Sequence, residues 1–132
     1  MAPPSPPFDA VFRRLREILA THDGALDVSD DTSTKYCLEA PVGPATLKAW
    51  GGRARRPSIP VAWVEVGKAY ISYHLMGVTH PAVLSAISKA LKARMQGKTC
   101  FNFTSLDEAT ITELDRLTSS SIAAFKQSGF IA

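Results

Sequence analysis

The chain has 132 residues, 45% hydrophobic and 20% charged, with a formal net charge of +3. That apolar content excludes a wholly disordered chain, and no apolar run approaches the ~18–20 residues that span a membrane. Two cysteines, Cys37 and Cys100, are too few for a disulfide scaffold, and the opening MAPPSPPF lacks the basic and apolar stretches of a secretory signal, so a cytoplasmic protein with free thiols and no membrane contact is expected.

The prolines of residues 1–7 predict an extended, flexible tail, because proline lacks an N–H and has a fixed φ. Residues 8–132 then form a single domain. Phe8, Val11, Phe12, Leu15, Ile18 and Leu19 share one helical face and predict a helix over Phe8–His22, stopped at Gly24. Ala25–Val28 reads as a short strand, Asp30–Ser33 as a turn and Lys35–Ala40 as a strand. Pro41, Gly43 and Pro44 break that strand, and Ala45–Trp50 reads as its hairpin partner. Gly51–Pro57 is a loop by composition. Ile59–Val66 and Ala69–Met76 are strands joined at Gly67-Lys68, where glycine is expected to supply a positive φ.

A helical stretch follows over Pro81–Gln96, with Thr79 as its expected cap, a kink at Ser88 and Gly97 as its stop. Thr99–Phe103 reads as a strand with β-prone Phe101 and Phe103. Ser105-Leu-Asp-Glu108 has the spacing of a capping box and opens a last helix whose stripe is Ile111, Leu114, Leu117, Ile122 and Phe125, ended by Gly129. The order predicts an α+β fold, an antiparallel sheet with the N- and C-terminal helices packed on one face.

Alternation along the strands sorts the sheet into two faces. Tyr36, Leu38, Ala62, Val64, Val66, Ile71, Tyr73, Leu75, Phe101 and Phe103 turn toward the helices. The opposite face carries Lys35, Cys37, Glu39, Val61, Trp63, Glu65, Tyr70, Ser72, His74, Cys100 and Asn102. Such a face is either the solvated side of a one-sided sheet or a binding surface. In the second case Cys37, Glu39, Trp63, Glu65, Tyr70, His74, Cys100 and Asn102 are the candidate residues, with Trp63 and Tyr70 the amphipathic aromatics that such surfaces use. Cys37, His74 and Cys100 have no local metal-ligand spacing, so no metal or other cofactor is expected. A Cys100–His74 nucleophile pair would lack the helix N-terminus that lowers a thiol pKa. No catalytic set emerges.

The charge is unevenly spread: residues 1–47 carry a net −3, residues 48–103 a net +8 and residues 104–132 a net −2. The basic middle offers Arg53, Arg55, Arg56 and Lys98 to an anion, and at most weak, salt-sensitive contact with nucleic acid is expected of them. Trp50, beside the arginine loop, is the aromatic platform that single-strand binding would use. Gly97-Lys98-Thr99 is not a phosphate-binding loop, because Lys92 stands where that motif needs glycine and the segment follows a helix instead of opening one.

Tyr70-Ile-Ser-Tyr-His-Leu-Met-Gly77, then Met95-Gln-Gly-Lys-Thr-Cys-Phe-Asn-Phe103, then a final helix begun by acids, resembles the YdhG-like domain family of small bacterial proteins. Leu75-Met76-Gly77 and Gly97-Lys98-Thr99-Cys100 match its two hallmarks, and the likeness covers about half the chain. The resemblance implies a frataxin-like fold. It also implies a role as an intracellular iron chaperone acting through surface carboxylates, from which this basic chain departs, its acids clustering at Asp23, Asp27, Asp30 and Asp31. The reading that results is a non-enzymatic binding or accessory domain for an unidentified ligand or protein partner. The alternatives are an anion or nucleic-acid binder and an iron chaperone.

Overall fold

The stripe of Val11, Phe12, Leu15, Ile18 and Leu19 is buried along α1 (Pro6–Thr21) in a computed structural model that describes residues 6–24 and 26–132. The helix begins inside the segment expected to be an extended tail. Pro6 and Pro7 fall in its first turn, where a missing N–H forfeits no helical bond. The rest of that expected tail, residues 1–5, lies outside the described residues.

Six strands follow: β1 (Asp27–Asp31), β2 (Lys35–Pro41), β3 (Ser58–Val66), β4 (Ile71–Leu75), β5 (Met95–Gln96) and β6 (Cys100–Phe103). They form one antiparallel sheet in the order β1-β2-β3-β4-β6-β5. The last helix, α5 (Glu108–Gln127), lies beside α1. Leu15 and Ile18 of α1 and Leu114 and Leu117 of α5 share one apolar cluster with Val64, Ile71, Tyr73, Leu75, Phe101 and Phe103. The fold is therefore the expected α+β arrangement, with both terminal helices on one sheet face. Full burial of each such large side chain contributes about 1.5–3 kcal/mol before conformational entropy is set against it.

Several local expectations are corrected. Residues 45–50 are not a strand but mostly helix, α2 (Pro44–Ala49). Pro44 presets the first turn, Ala45, Leu47, Lys48 and Ala49 favour helix, and β2 already has strand neighbours on both edges. The first strand starts at Asp27 and includes Asp30 and Asp31, and the turn falls at Thr32, whose Oγ1 accepts from the Lys35 N–H (3.0 Å). Gly67 does not take a positive φ; its N–H donates to the Tyr70 carbonyl (2.9 Å) across the β3–β4 turn.

The middle helical stretch is broken into a 3-10 turn (Met76–Thr79), α3 (Pro81–Ser85) and α4 (Lys89–Lys92). His80, not Thr79, caps α3, its Nδ1 accepting from the Ala82 N–H, while Ser88 caps α4. Gly97 lies in the β5–β6 turn, since Met95 and Gln96 pair with Phe101 and Cys100. At α5 the cap is Asp107, whose carboxylate accepts from the Thr110 N–H (2.7 Å), in place of the Ser105 box.

Val61 is the one face assignment that fails. The β2–β3 register passes from Leu38↔Ala62 to Glu39↔Pro60, so Val61 is the extra residue of a bulge. Instead of facing the open side, it is buried with Ala40, Phe125 and Ile131 in a second apolar cluster at the end of the sheet. Pro60 next to it is tolerated because β4 pairing begins only at Ala62↔Leu75, so its absent N–H breaks no ladder bond there.

Candidate functional site

On the face away from α1 and α5, pairing sets Cys37, Trp63, His74, Cys100 and Gln96 across five strands in one row. A second row runs Lys35, Glu65, Ser72 and Asn102. Trp63 and His74 stack, with ring centroids 4.4 Å apart and planes 10° from parallel. His74 Nε2 lies 3.8 Å from Cys100 Sγ. The Asn102 amide oxygen accepts from Ser72 Oγ (3.3 Å) and faces Cys100 Sγ (3.3 Å). The Asn102 amide nitrogen donates to Gln96 Oε1, which also accepts from the Tyr70 hydroxyl (3.1 Å). The structure thus gathers Trp63, Tyr70, His74, Cys100 and Asn102 into one stacked and hydrogen-bonded patch.

It does not gather the others. Cys37 is buried, and the Trp63 strand separates it from His74. Glu39 accepts a bond from Arg56 (3.3 Å), and Glu65 is exposed. Burial pushes the Cys100 thiol pKa up, partly offset by the Ser72 hydroxyl, and burial pulls the His74 pKa down against the pull of Glu65. Both shifts favour the neutral forms. At neutral pH the two are a thiol and an imidazole, the reverse of the charged pair that a cysteine nucleophile needs. Among the described residues no group of three or more His, Cys, Asp or Glu side chains is placed to hold a metal ion, and no helix is long and apolar enough to cross a membrane.

Trp63 also belongs to a second feature that the sequence did not suggest. Beyond the bulge, Ile59, Pro60 and Trp63 of β3 wall a cavity of about 470 Å³ together with Thr46 and Ala49 of α2, Trp50, Met76, Thr79, Phe125 and Phe130. Its walls are almost wholly apolar, and three of them are the exposed-to-half-buried rings of Trp50, Trp63 and Phe130. Ligand cavities of globular proteins occupy about 300–1,000 Å³ and are built in this way.

The cavity is fixed by backbone. The C-terminal segment after α5 folds against the start of α2: Gly43 N–H donates to the Phe130 carbonyl (2.9 Å), Ala45 N–H to the Gly129 carbonyl (2.8 Å), and Thr46 Oγ1 also to the Phe130 carbonyl (2.6 Å). This approach requires glycine at 43, since a Cβ there would overlap the Gly129 and Ile131 carbonyls. Phe130 in turn stacks on Phe125, centroids 5.1 Å apart. At the other end of α2, Gly51 and Gly52 take positive φ (79° and 87°) and turn the arginine loop back over the helix end. Arg55 then lies over the Trp50 ring, 5.9 Å from its centroid. Arg53, Arg55 and Arg56 are exposed. Lys98 borders a different hollow, of about 480 Å³, with Leu84, Met95 and Gly97; Thr79 touches both hollows.

Trp50 was legible as a platform beside the arginines. Phe130 and Met76 were not, although an aromatic residue just past the helix-ending glycine was the available signal. No protein-family model, curated protein or solved structure matches the chain significantly.

Proposed function

We propose that this chain is a non-enzymatic, cytoplasmic binding module whose ligand is a small molecule with an apolar body, held at the end of the sheet against Trp50, Trp63 and Phe130. The observation that carries the reading is the cavity of about 470 Å³ whose aromatic walls come from three separate segments locked together by the Gly43–Phe130 and Thr46–Phe130 bonds. A surface that only met water would gain nothing from holding three large rings around a hollow. The neutral Cys100–His74 pair supports a binding role over catalysis.

The YdhG-like resemblance is part of the same proposal. Its two hallmark segments adjoin, because Leu75 N–H donates to the Thr99 carbonyl (3.0 Å), and Met76 of the first lines the cavity. Iron carriage, which the resemblance also implies, has less support. Of the acids it would use, Asp30 and Asp31 are paired with Lys35 and Arg16 at 3.6 and 2.8 Å.

The test is titration with N-phenyl-1-naphthylamine, a neutral probe whose fluorescence rises in apolar surroundings. Saturable binding of one probe per chain is expected, weakened at least tenfold by Trp63→Ala. An absence of saturable binding, or binding indifferent to Trp63→Ala, would overturn the reading.

A further inference from the structure

We infer that the ligand of this cleft is an aromatic carboxylate, its ring lying against the aromatic walls and its carboxylate meeting the guanidinium of Arg55. The inference rests on the cleft being the binding site and adds the chemical class of what fills it.

Charge is the first argument. Residues 48–103 hold a single acid, Glu65, which sits on the far row of the open face, opposite Lys35 in β2 and Ser72 in β4. Glu39, paired in the sheet with the cavity-wall Pro60, is taken by Arg56 at 3.3 Å. Among the described residues Arg53 and Arg55 make no ion pair. Arg55 is also the one guanidinium placed over a ring that lines the cavity. A guanidinium resting on an indole is held by the ring face and keeps its N–H edge free, and that edge matches the two oxygens of a carboxylate.

Shape is the second argument. The rings of Trp50, Trp63 and Phe130 offer flat faces, and Trp63 and Phe130 are each backed by a stacked partner, His74 and Phe125. Rings held in this way keep their orientation and suit a planar guest. The two wall hydroxyls spend their protons within the protein: Thr46 Oγ1 donates to the Phe130 carbonyl, and Thr79 Oγ1 to the Met76 carbonyl. The walls therefore offer mainly apolar contact, and Arg55 is the charged side chain that rests on one of the wall rings. An anion with an apolar ring meets both.

Single-stranded nucleic acid is the competing occupant, because bases also stack on aromatic side chains near arginine. A hollow bounded on several sides favours a compact guest over a continuous strand, and Lys98 borders a different hollow from the one walled by Trp50 and Trp63.

The experiment is calorimetric titration with 2-naphthoate, its neutral analogue 2-naphthalenemethanol, octanoate and a twelve-residue oligothymidylate at physiological salt. 2-Naphthoate is expected to bind about tenfold or more tighter than the neutral analogue, the gain of one charge-assisted contact. Arg55→Gln should remove that preference, while Lys92→Gln on α4 should keep it. Equal binding of the acid and the neutral analogue overturns the carboxylate and leaves the cleft reading standing. Octanoate binding as tightly as 2-naphthoate overturns the aromatic requirement. Tighter binding of the oligonucleotide overturns the small-molecule class. If neither naphthalene compound binds, the cleft reading falls as well.

Discussion

The imidazole of His74 lies flat on the indole of Trp63, ring centroids 4.4 Å apart, so one titratable ring backs a wall of the cleft. Burial holds the His74 pKa below its ordinary 6.5. In the unfolded chain the imidazole takes up its proton near pH 6.5, while in the folded chain it does so only at lower pH. Between those values the unfolded state binds more protons, so stability falls as pH is lowered through about 6.5. Denaturant midpoints at pH 7.5 and pH 5.0 should differ more for the wild type than for His74→Phe, which keeps a flat ring and cannot titrate. Equal differences in the two proteins would count against this assignment.

The Tyr73 hydroxyl and Thr118 Oγ1 are fully buried and 2.5 Å apart, and Thr118 spends its proton on the Leu114 carbonyl (2.7 Å). Tyr73 is therefore the donor of the pair. Thr118→Val strands that donor in the core and should cost about 1–3 kcal/mol, whereas Tyr73→Phe leaves only an acceptor unused and should cost about 1 kcal/mol. Chemical denaturation of both variants measures the order.

Gly77 touches α5 so closely that a methyl group at its Cα would overlap the Ser121 carbonyl oxygen. Gly77→Ala should destabilise by about 1–3 kcal/mol or more, because neither backbone can give way without moving the helix. The Ser121 hydroxyl beside it is buried and has no hydrogen-bond partner among the described residues. Ser121→Ala should thus be neutral or stabilising by up to about 1 kcal/mol, an outcome opposite to the usual loss on core substitution. Thermal melts of the two variants should move apart.

Cys37 is buried and Cys100 half-buried, and burial raises the pKa of both thiols. Thiolate is the reactive form. Both should react with a disulfide reagent more slowly at pH 7 than a free thiol does, with Cys100 ahead of Cys37. Cys100 reacting faster than free cysteine would point to an activated nucleophile and against a binding role.

Most of the sheet was legible because strict alternation ties each residue to a face. Placing Tyr36, Leu38, Val64, Ile71, Tyr73 and Phe101 toward the helices needed no knowledge of strand order. What failed was non-local or competitive. The run Ala45–Trp50 fits the period of a strand as well as that of the helix Pro44–Ala49 it mostly forms, and only the occupied edges of β2 decide between them. Val61 was misplaced because a bulge leaves no mark in the alternation of a single strand. The open-face patch was half legible: Trp63, His74, Cys100 and Asn102 share a face by parity, but their contact depends on β4 lying between β3 and β6. The cleft was hidden, since Trp50, Trp63 and Phe130 meet only when the chain end folds back on Gly43.

The chain has two tryptophans, Trp50 and Trp63, and both line the cleft. Their two indole N–H resonances in a ¹H–¹⁵N correlation spectrum, followed during titration with 2-naphthoate, report the site directly. Both resonances are expected to shift together and saturate at one equivalent, with the backbone amides of Thr79 and Phe130. Shifts confined to Ser72, Cys100 and Asn102 on the open face, with both indoles unmoved, would contradict the account.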